Sequence, residues 1–351
     1  MMESLAAKVV ERLNRAESAA ELRFCHDELA RELRRCLAPE QMKQLAGDVV
    51  CVHEAILRRA FFLAERETMK RSVGIRPPAW CWYVMGSIGR CEPTIWTDQD
   101  HGILFDCPEE EEAACYEFIR HMAAVGVDML HEAGYPYCSG YVMATNKRWA
   151  QSVRGWEQQL SSYLDSGWPN DIRFLLIAMD MRPLYGEAEL AEKARKALFA
   201  AVAKRPPLLA RMGEHVQFPP VPLGWLGNVQ TERWGPYSGA VHMKQSGYVQ
   251  LTNALKWLAC FAHVPTAGTA ERRRALEANG VLTAPLSDAV CEALSVYYSI
   301  RLKYSTEAGD GCEYVLWRAL ERTEQKQLKQ AMRTAKRLQR FVARRVANIH
   351  A

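Results

Sequence analysis

Asp98 and Asp100 stand one residue apart in the stretch MGSIGRCEPTIWTDQDHGILF, residues 85–105, shortly after a Gly86-Ser87 pair. Along an extended chain, side chains two apart leave the same face, so both carboxylates project together. At about 4 Å separation they would repel by roughly 4 kcal/mol at an effective dielectric of 20. Gly86 and Ser87 end a strand-like run in a tight turn, where backbone amides can approach phosphate oxygens closely. Arg90 follows within reach of the same pocket. An anion cradle beside two acids is self-consistent when a divalent cation joins carboxylate to phosphate. Mg²⁺ binds in this manner, and Mn²⁺ can replace it.

A third acid would complete a two-metal site. Asp180 is the candidate, as the lone charge within FLLIAMDM, where an isolated carboxylate is costly unless paired or metal-bound. A salt bridge to Arg182 or Arg173 is its structural alternative. Glu92 can hold Arg90 in place, and Ser87 can donate to a phosphate or simply cap the turn. Lys244, opening a later helix, is placed to reach a triphosphate, with a solvated lysine as the alternative. His101 adjoins Asp100 but points to the opposite face of a regular strand, which leaves it outside the site.

The elements that must position these residues predict an α+β chain in four parts. Residues 1–72 read as helices, with capping-box spacing at Ser18-Ala19-Ala20-Glu21 and apolar positions such as Leu22, Cys25 and Leu29 at helical intervals. Residues 73–204 form the α/β part. AWCWYVMG and DHGILF read as neighbouring buried strands, 109–133 as a helix, GYVMAT as a strand and 149–164 as a helix. FLLIAMDMR, 174–182, reads as a further apolar strand. Residues 205–238, rich in proline and glycine, read as a linker. Residues 239–351 predict an antiparallel bundle with helices at 249–261, 269–278, 287–304 and about 313–346. The last carries Arg322, Lys326, Lys329, Arg333, Arg337, Arg340 and Arg344 as a basic stripe opposite Leu328, Ala331, Ala335, Leu338 and Val342.

Composition narrows the class. The chain has 351 residues, 49% of them hydrophobic and 25% charged, as is ordinary for a globular protein. A net charge of +4 does not by itself argue for nucleic acid. No apolar run reaches the roughly 18 residues of a membrane span, and Met1-Met2-Glu3-Ser4 does not open a signal peptide. Eleven scattered cysteines without a C-x-x-C pair fit reduced thiols and a cytoplasmic location.

Gly86-Ser87-Ile88-Gly89-Arg90-Cys91-Glu92-Pro93-Thr94, followed by Thr97-Asp98-Gln99-Asp100, resembles the G-S-x-G-R-x-E-x-T…T-D-Q-D signature of nucleotidyltransferases. These are related to bacterial PII-protein uridylyltransferase and glutamine-synthetase adenylyltransferase. The resemblance continues through 138–146, through Asp180-Met181-Arg182-Pro183-Leu184-Tyr185-Gly186-Glu187, and into the helical substrate-binding domain at His242-Met243-Lys244. It departs from the pattern at Cys138-Ser139-Gly140 and at His242. The resemblance implies a polymerase-β-like fold, with Gly86-Ser87 on the phosphates of an NTP (UTP or ATP). It implies Mg²⁺ held by Asp98, Asp100 and Asp180, and transfer of NMP to an acceptor, expected to be a protein, with release of pyrophosphate. Asp180 is expected beside the acceptor hydroxyl, from an adjacent strand. The C-terminal helices are expected to cover the site, with Lys244 across from Gly86 and Asp98. Two other readings stay open: a catalytically silent nucleotide-binding regulator, and a nucleic-acid nucleotidyltransferase using the basic last helix.

Overall fold

The computed structural model describes residues 5–35, 39–304 and 313–350. The chain divides into two compact units, residues 1–162 with 180–196, and residues 163–179 with 197–351. Together they form a mixed α+β protein in which a small sheet is flanked by helical N- and C-terminal regions.

The first unit opens with α1 (Leu5–Arg15), α2 (Ala19–Arg35) and α3 (Pro39–Lys70). Half of the capping box is formed, the Glu21 amide donating to Ser18 Oγ at 3.3 Å, while the Glu21 carboxylate accepts from the Glu17 amide, one residue before the cap, at 2.6 Å. β1 (Ala79–Val84) then runs into the single helical turn α4 (Gly86–Gly89), and β2 (His101–Asp106) returns antiparallel to it. α5 (Glu112–Glu132), β3 (Ala150–Ser152), most of α6 (Val153–Ser166) and β4 (Arg182–Gly186) complete the unit with the first part of α8 (Ala188–Ala203). The sheet order is β3-β2-β1-β4, with β2 and β3 parallel and the other pairs antiparallel.

The core beneath β1 is aromatic. Phe61 of α3 stacks on Trp82 at 3.8 Å between ring centroids, nearly parallel. Gly126 of α5 lies against the Trp82 six-membered ring, where any side chain would collide with it. Full burial of Trp82 and Phe61 contributes about 1.5–3 kcal/mol for a side chain of this class, which anchors the strand that leads into the Gly86 turn.

The second unit holds α7 (Pro169–Ala178), α9 (Pro206–His215), α10 (Val249–Phe261), α11 (Thr269–Ala278), α12 (Ala284–Tyr304) and α13 (Arg322–His350). A two-stranded antiparallel sheet joins β5 (Ala240–His242) to β6 (Tyr314–Leu316). Leu328, Ala331, Met332, Ala335, Leu338, Val342 and Val346 are the buried seam of α13, the i, i+3, i+4, i+7 pattern of an amphipathic helix.

Several elements differ from the sequence reading. The run at 174–182 is helix α7 as far as Ala178, with Asp180 in the turn before β4. A short apolar run does not separate strand from buried helix, and Pro169 at the first helical position favours the helix. Residues 140–145 form turns instead of a strand, closed by the Tyr141 amide on Cys138 O at 2.9 Å. The last helix starts at Arg322, because 314–316 pair with β5. α6 starts at Val153, preceded by β3. The proline-rich segment begins with a helix, α9, whose paired prolines occupy the first turn, where no backbone donor is required.

Candidate active site

The antiparallel register that pairs Val84 with His101 extends one step further, where the Met85 amide donates to Asp100 O at 2.8 Å. Gly86 therefore stands directly beside Asp100. Its φ of +56° is left-handed, and a Cβ there would lie 2.9 Å from Asp100 Cγ and closer still to Oδ2. Only glycine combines that backbone with that approach. From Gly86 the chain makes one helical turn, closed by the Gly89 amide on Met85 O at 2.8 Å and the Arg90 amide on Gly86 O at 3.0 Å. Amides opening such a turn have no acceptor within it. Ser87 Oγ shares a 2.8 Å hydrogen bond with Thr97 Oγ1, which ties the turn to the chain entering the acid pair.

Residues 97–101 alternate in burial. Thr97, Gln99 and His101 are buried, while Asp98 and Asp100 are partly exposed. The inward groups form a network that fixes the outward ones. Gln99 Nε2 donates to Val127 O and Tyr135 O, each at 3.1 Å, and Gln99 Oε1 lies 3.0 Å from His101 Nε2. His101 Nδ1 receives the Trp82 indole N–H at 3.1 Å, so the proton of the neutral ring belongs on Nε2, pointing to Gln99. Burial holds His101 neutral, with its pKa pushed down to about 3. As the sequence indicated, His101 faces away from the acids.

The carboxylates of Asp98 and Asp100 and the Cys138 thiol place one ligand atom each within 4.8 Å of one another. Burial, followed by the charges of Asp100 and Asp98, raises the Cys138 pKa, which keeps it a thiol. The donor set suits a hard divalent ion on two carboxylate oxygens, with the protonated sulfur as a neighbour and not a preferred ligand.

Arg90 and Asp180 lie beside the turn. Arg90 Nη1 pairs with Asp180 Oδ2 at 2.7 Å, and Arg90 Nε pairs with Glu92. Asp180 is 1% exposed, and its carbonyl abuts Gly89. Its ion-pair partner is thus Arg90, where the sequence pointed to Arg182 or Arg173. Arg182 instead donates to Ile88 O at 2.8 Å and Gly89 O at 3.2 Å while pairing with Glu54 at 2.7 Å. It caps the carbonyl end of the turn. Lys244 belongs to the second unit, where its ammonium pairs with Glu313 at 3.0 Å. Glu313 also binds the buried Arg301 at 2.9 Å.

The N-terminal helices contribute more than their sequence suggested. His53 Nε2 contacts Thr94 O at 3.0 Å, and His26 Nε2 contacts Ile95 O at 2.9 Å, pinning the loop that leads to Asp98. His53 Nδ1 lies 2.6 Å from the Tyr135 hydroxyl, and His26 stacks on the Tyr135 ring. Burial holds His53 neutral, with its pKa pushed down to about 3. These two histidines sit on separate helices and meet only in the fold, so no local spacing announces them. Cys138 had no metal-ligand spacing either.

A glycine turn off a central strand, a pair of aligned acids in the segment entering the next strand, and a helical second unit are the parts of a nucleotidyltransferase. The family model described as "Putative nucleotidyltransferase DUF294" matches residues 26–170, and the corresponding "Putative nucleotidyltransferase substrate binding domain" matches residues 206–346. The chain belongs to this nucleotidyltransferase family. Among curated proteins, none matches it. Among the described residues, no helix is long and apolar enough to cross a membrane.

Proposed function

We propose that the protein is a Mg²⁺-dependent nucleotidyltransferase that passes NMP from an NTP to a protein acceptor and releases pyrophosphate. The observation that carries this reading is the convergence of Asp98 and Asp100 beside the Gly86 turn. Asp98 and Asp100 would hold the ion. When bound, it would neutralise triphosphate charge and favour in-line attack on the α-phosphorus.

The chain's own groups do the rest. The amides opening α4 and the Ser87 hydroxyl offer donors to phosphate oxygens, and Arg90 offers a planar fork. Asp180 remains the third carboxylate of the proposal. It balances Arg90 at 2.7 Å, and transfer of Arg90 to a triphosphate would leave it to receive the acceptor hydroxyl's proton. The His26–His53–Tyr135 cluster and Gln99 keep the segment carrying the acids in one position, so little reorganisation opposes the reaction.

The test is incubation of the protein with α-labelled UTP or ATP, Mg²⁺ and lysate proteins. Label should appear on a protein together with stoichiometric pyrophosphate, and Asp98→Asn or Asp100→Asn should abolish both. Nucleotide binding without transfer across all lysate fractions would favour a silent regulator, and label on RNA would favour a nucleic-acid acceptor.

A further inference from the structure

α13 is one-sidedly cationic. From Gln325 to Ala351 the sequence contains no Asp or Glu. The acids at its start, Glu321 and Glu324, both pair with Lys303, at 2.7 and 2.8 Å. Arg322, Lys326, Arg333, Arg337, Arg340 and Arg344 are exposed and Lys329 is half-buried, and none of the seven forms an ion pair among the described residues. At 1.5 Å per residue the stripe spans about 33 Å. Single charge runs of this kind are commonly just solvated, so a second feature decides the matter.

That feature is a hairpin laid beside the stripe in the same unit. Leu223 and Val229 bridge antiparallel, the Gly224 amide donates to Asn228 O at 2.8 Å, and the Gly227 amide donates to Gly224 O at 3.0 Å. The tip of this closed loop is Trp225-Leu226, 93% and 76% exposed. α13 braces the hairpin and the chain leading into it: Lys336 Nζ donates to Leu223 O, Arg333 reaches the side of Gly227, and Gln339 Nε2 donates to Gln217 O, upstream of the hairpin, at 2.9 Å. A braced turn that lifts a tryptophan and a leucine into water beside unpaired arginines has the residue types of an interface anchor. Fixing the tip in advance removes part of the ordering cost of binding.

We infer that this face of α13 with the Trp225-Leu226 tip docks an acidic protein, the acceptor of the nucleotide. The last step rests on the function proposed above. The cations require an anionic partner, and the anchor chooses between classes. A nucleic acid would call for a run of aromatic faces on which bases stack. An aromatic paired with an aliphatic side chain suits an apolar pocket on a protein, rimmed here by charge complementarity that steers the encounter. The surface also falls within residues 206–346, matched by the substrate-binding family model.

The experiment is fluorescence anisotropy on the full chain, with a labelled 4:1 Glu–Tyr random copolymer as the acidic polypeptide and a labelled single-stranded 20-nucleotide RNA as the rival. Two variants are compared with the parent, Arg333→Glu/Arg337→Glu/Arg340→Glu and Trp225→Ser/Leu226→Ser. Copolymer binding should weaken at least tenfold in each, and rising salt should weaken it in the parent. Binding of Mg·NTP should stay unchanged in both variants, which separates this surface from the acid site. Absence of copolymer binding, or binding that neither variant alters, overturns the docking surface. RNA bound more tightly than copolymer and released by the same variants overturns the acidic-protein assignment. If neither parent nor variants bind Mg·NTP while the copolymer result holds, it is the proposed function that fails.

Discussion

Gly86→Ala should damage the site by displacement far more than the fold by strain. An alanine at φ +56° costs about 1–2 kcal/mol for the left-handed backbone alone. The new methyl would sit 2.9 Å from Asp100 Cγ, where ordinary contact begins at 3.4 Å, so the carboxylate carbon must retreat by at least about 0.5 Å and its nearer oxygen by more. A misplacement approaching 1 Å at a reacting centre can cost about a hundredfold in rate. Gly280→Ala is the control, since Gly280 has φ +68° and nothing within 4 Å of its absent Cβ. Both variants should lose about 1–2 kcal/mol in urea denaturation. Only Gly86→Ala should bind Mn²⁺ at least tenfold more weakly by electron paramagnetic resonance titration and transfer nucleotide about a hundredfold more slowly. Parent-like Mn²⁺ affinity in Gly86→Ala would show that Asp100 is not a ligand, or that its contact with Gly86 is immaterial.

Three further outcomes are expected. His53 is neutral in the fold down to about pH 3, whereas the unfolded chain binds its proton near 6.5. Its stabilising effect is therefore present above 6.5 and is lost as pH falls. Between pH 7.5 and 5.5 the loss is about 1.4 kcal/mol, so urea denaturation of His53→Asn should show a pH dependence smaller by that amount. Cys138→Ser should keep Mg²⁺-supported transfer but lose sensitivity to thiophilic Cd²⁺, measured by inhibition titration, because the thiol adjoins the acids without being needed by a hard ion. Asp180→Asn should abolish transfer while Mg·NTP binding measured by calorimetry persists within about tenfold; retained transfer would remove Asp180 from the chemistry.

Much of this was legible in the sequence because the informative signals are local. Period-two alternation separates Asp98 and Asp100 from Gln99 and His101, and proline and glycine bracket β1. Helices α10 and α11 begin and end where their periodicity does. Signals that depend on distant partners were not legible. FLLIAM could be strand or helix until the fold chose, and residues 314–316 became strand because residues 240–242 lie beside them. Asp180 is far in sequence from Arg90, and His26 and His53 meet Tyr135 only once three helices have packed. Cys25 and Leu22 are buried on the expected helix face, while the side chain of Leu33, part of the same pattern, lies outside the described residues.

Whether Asp98 and Asp100 bind nucleotide through a divalent ion can be read by calorimetry with a non-hydrolysable NTP. Titrations compare the parent with Asp98→Asn/Asp100→Asn, each with Mg²⁺ and with EDTA. Binding to the parent in Mg²⁺ should weaken at least tenfold in EDTA, and the double variant should bind equally weakly in either buffer. Equal affinity in all four titrations, or no binding to the parent in Mg²⁺, would contradict binding through the ion.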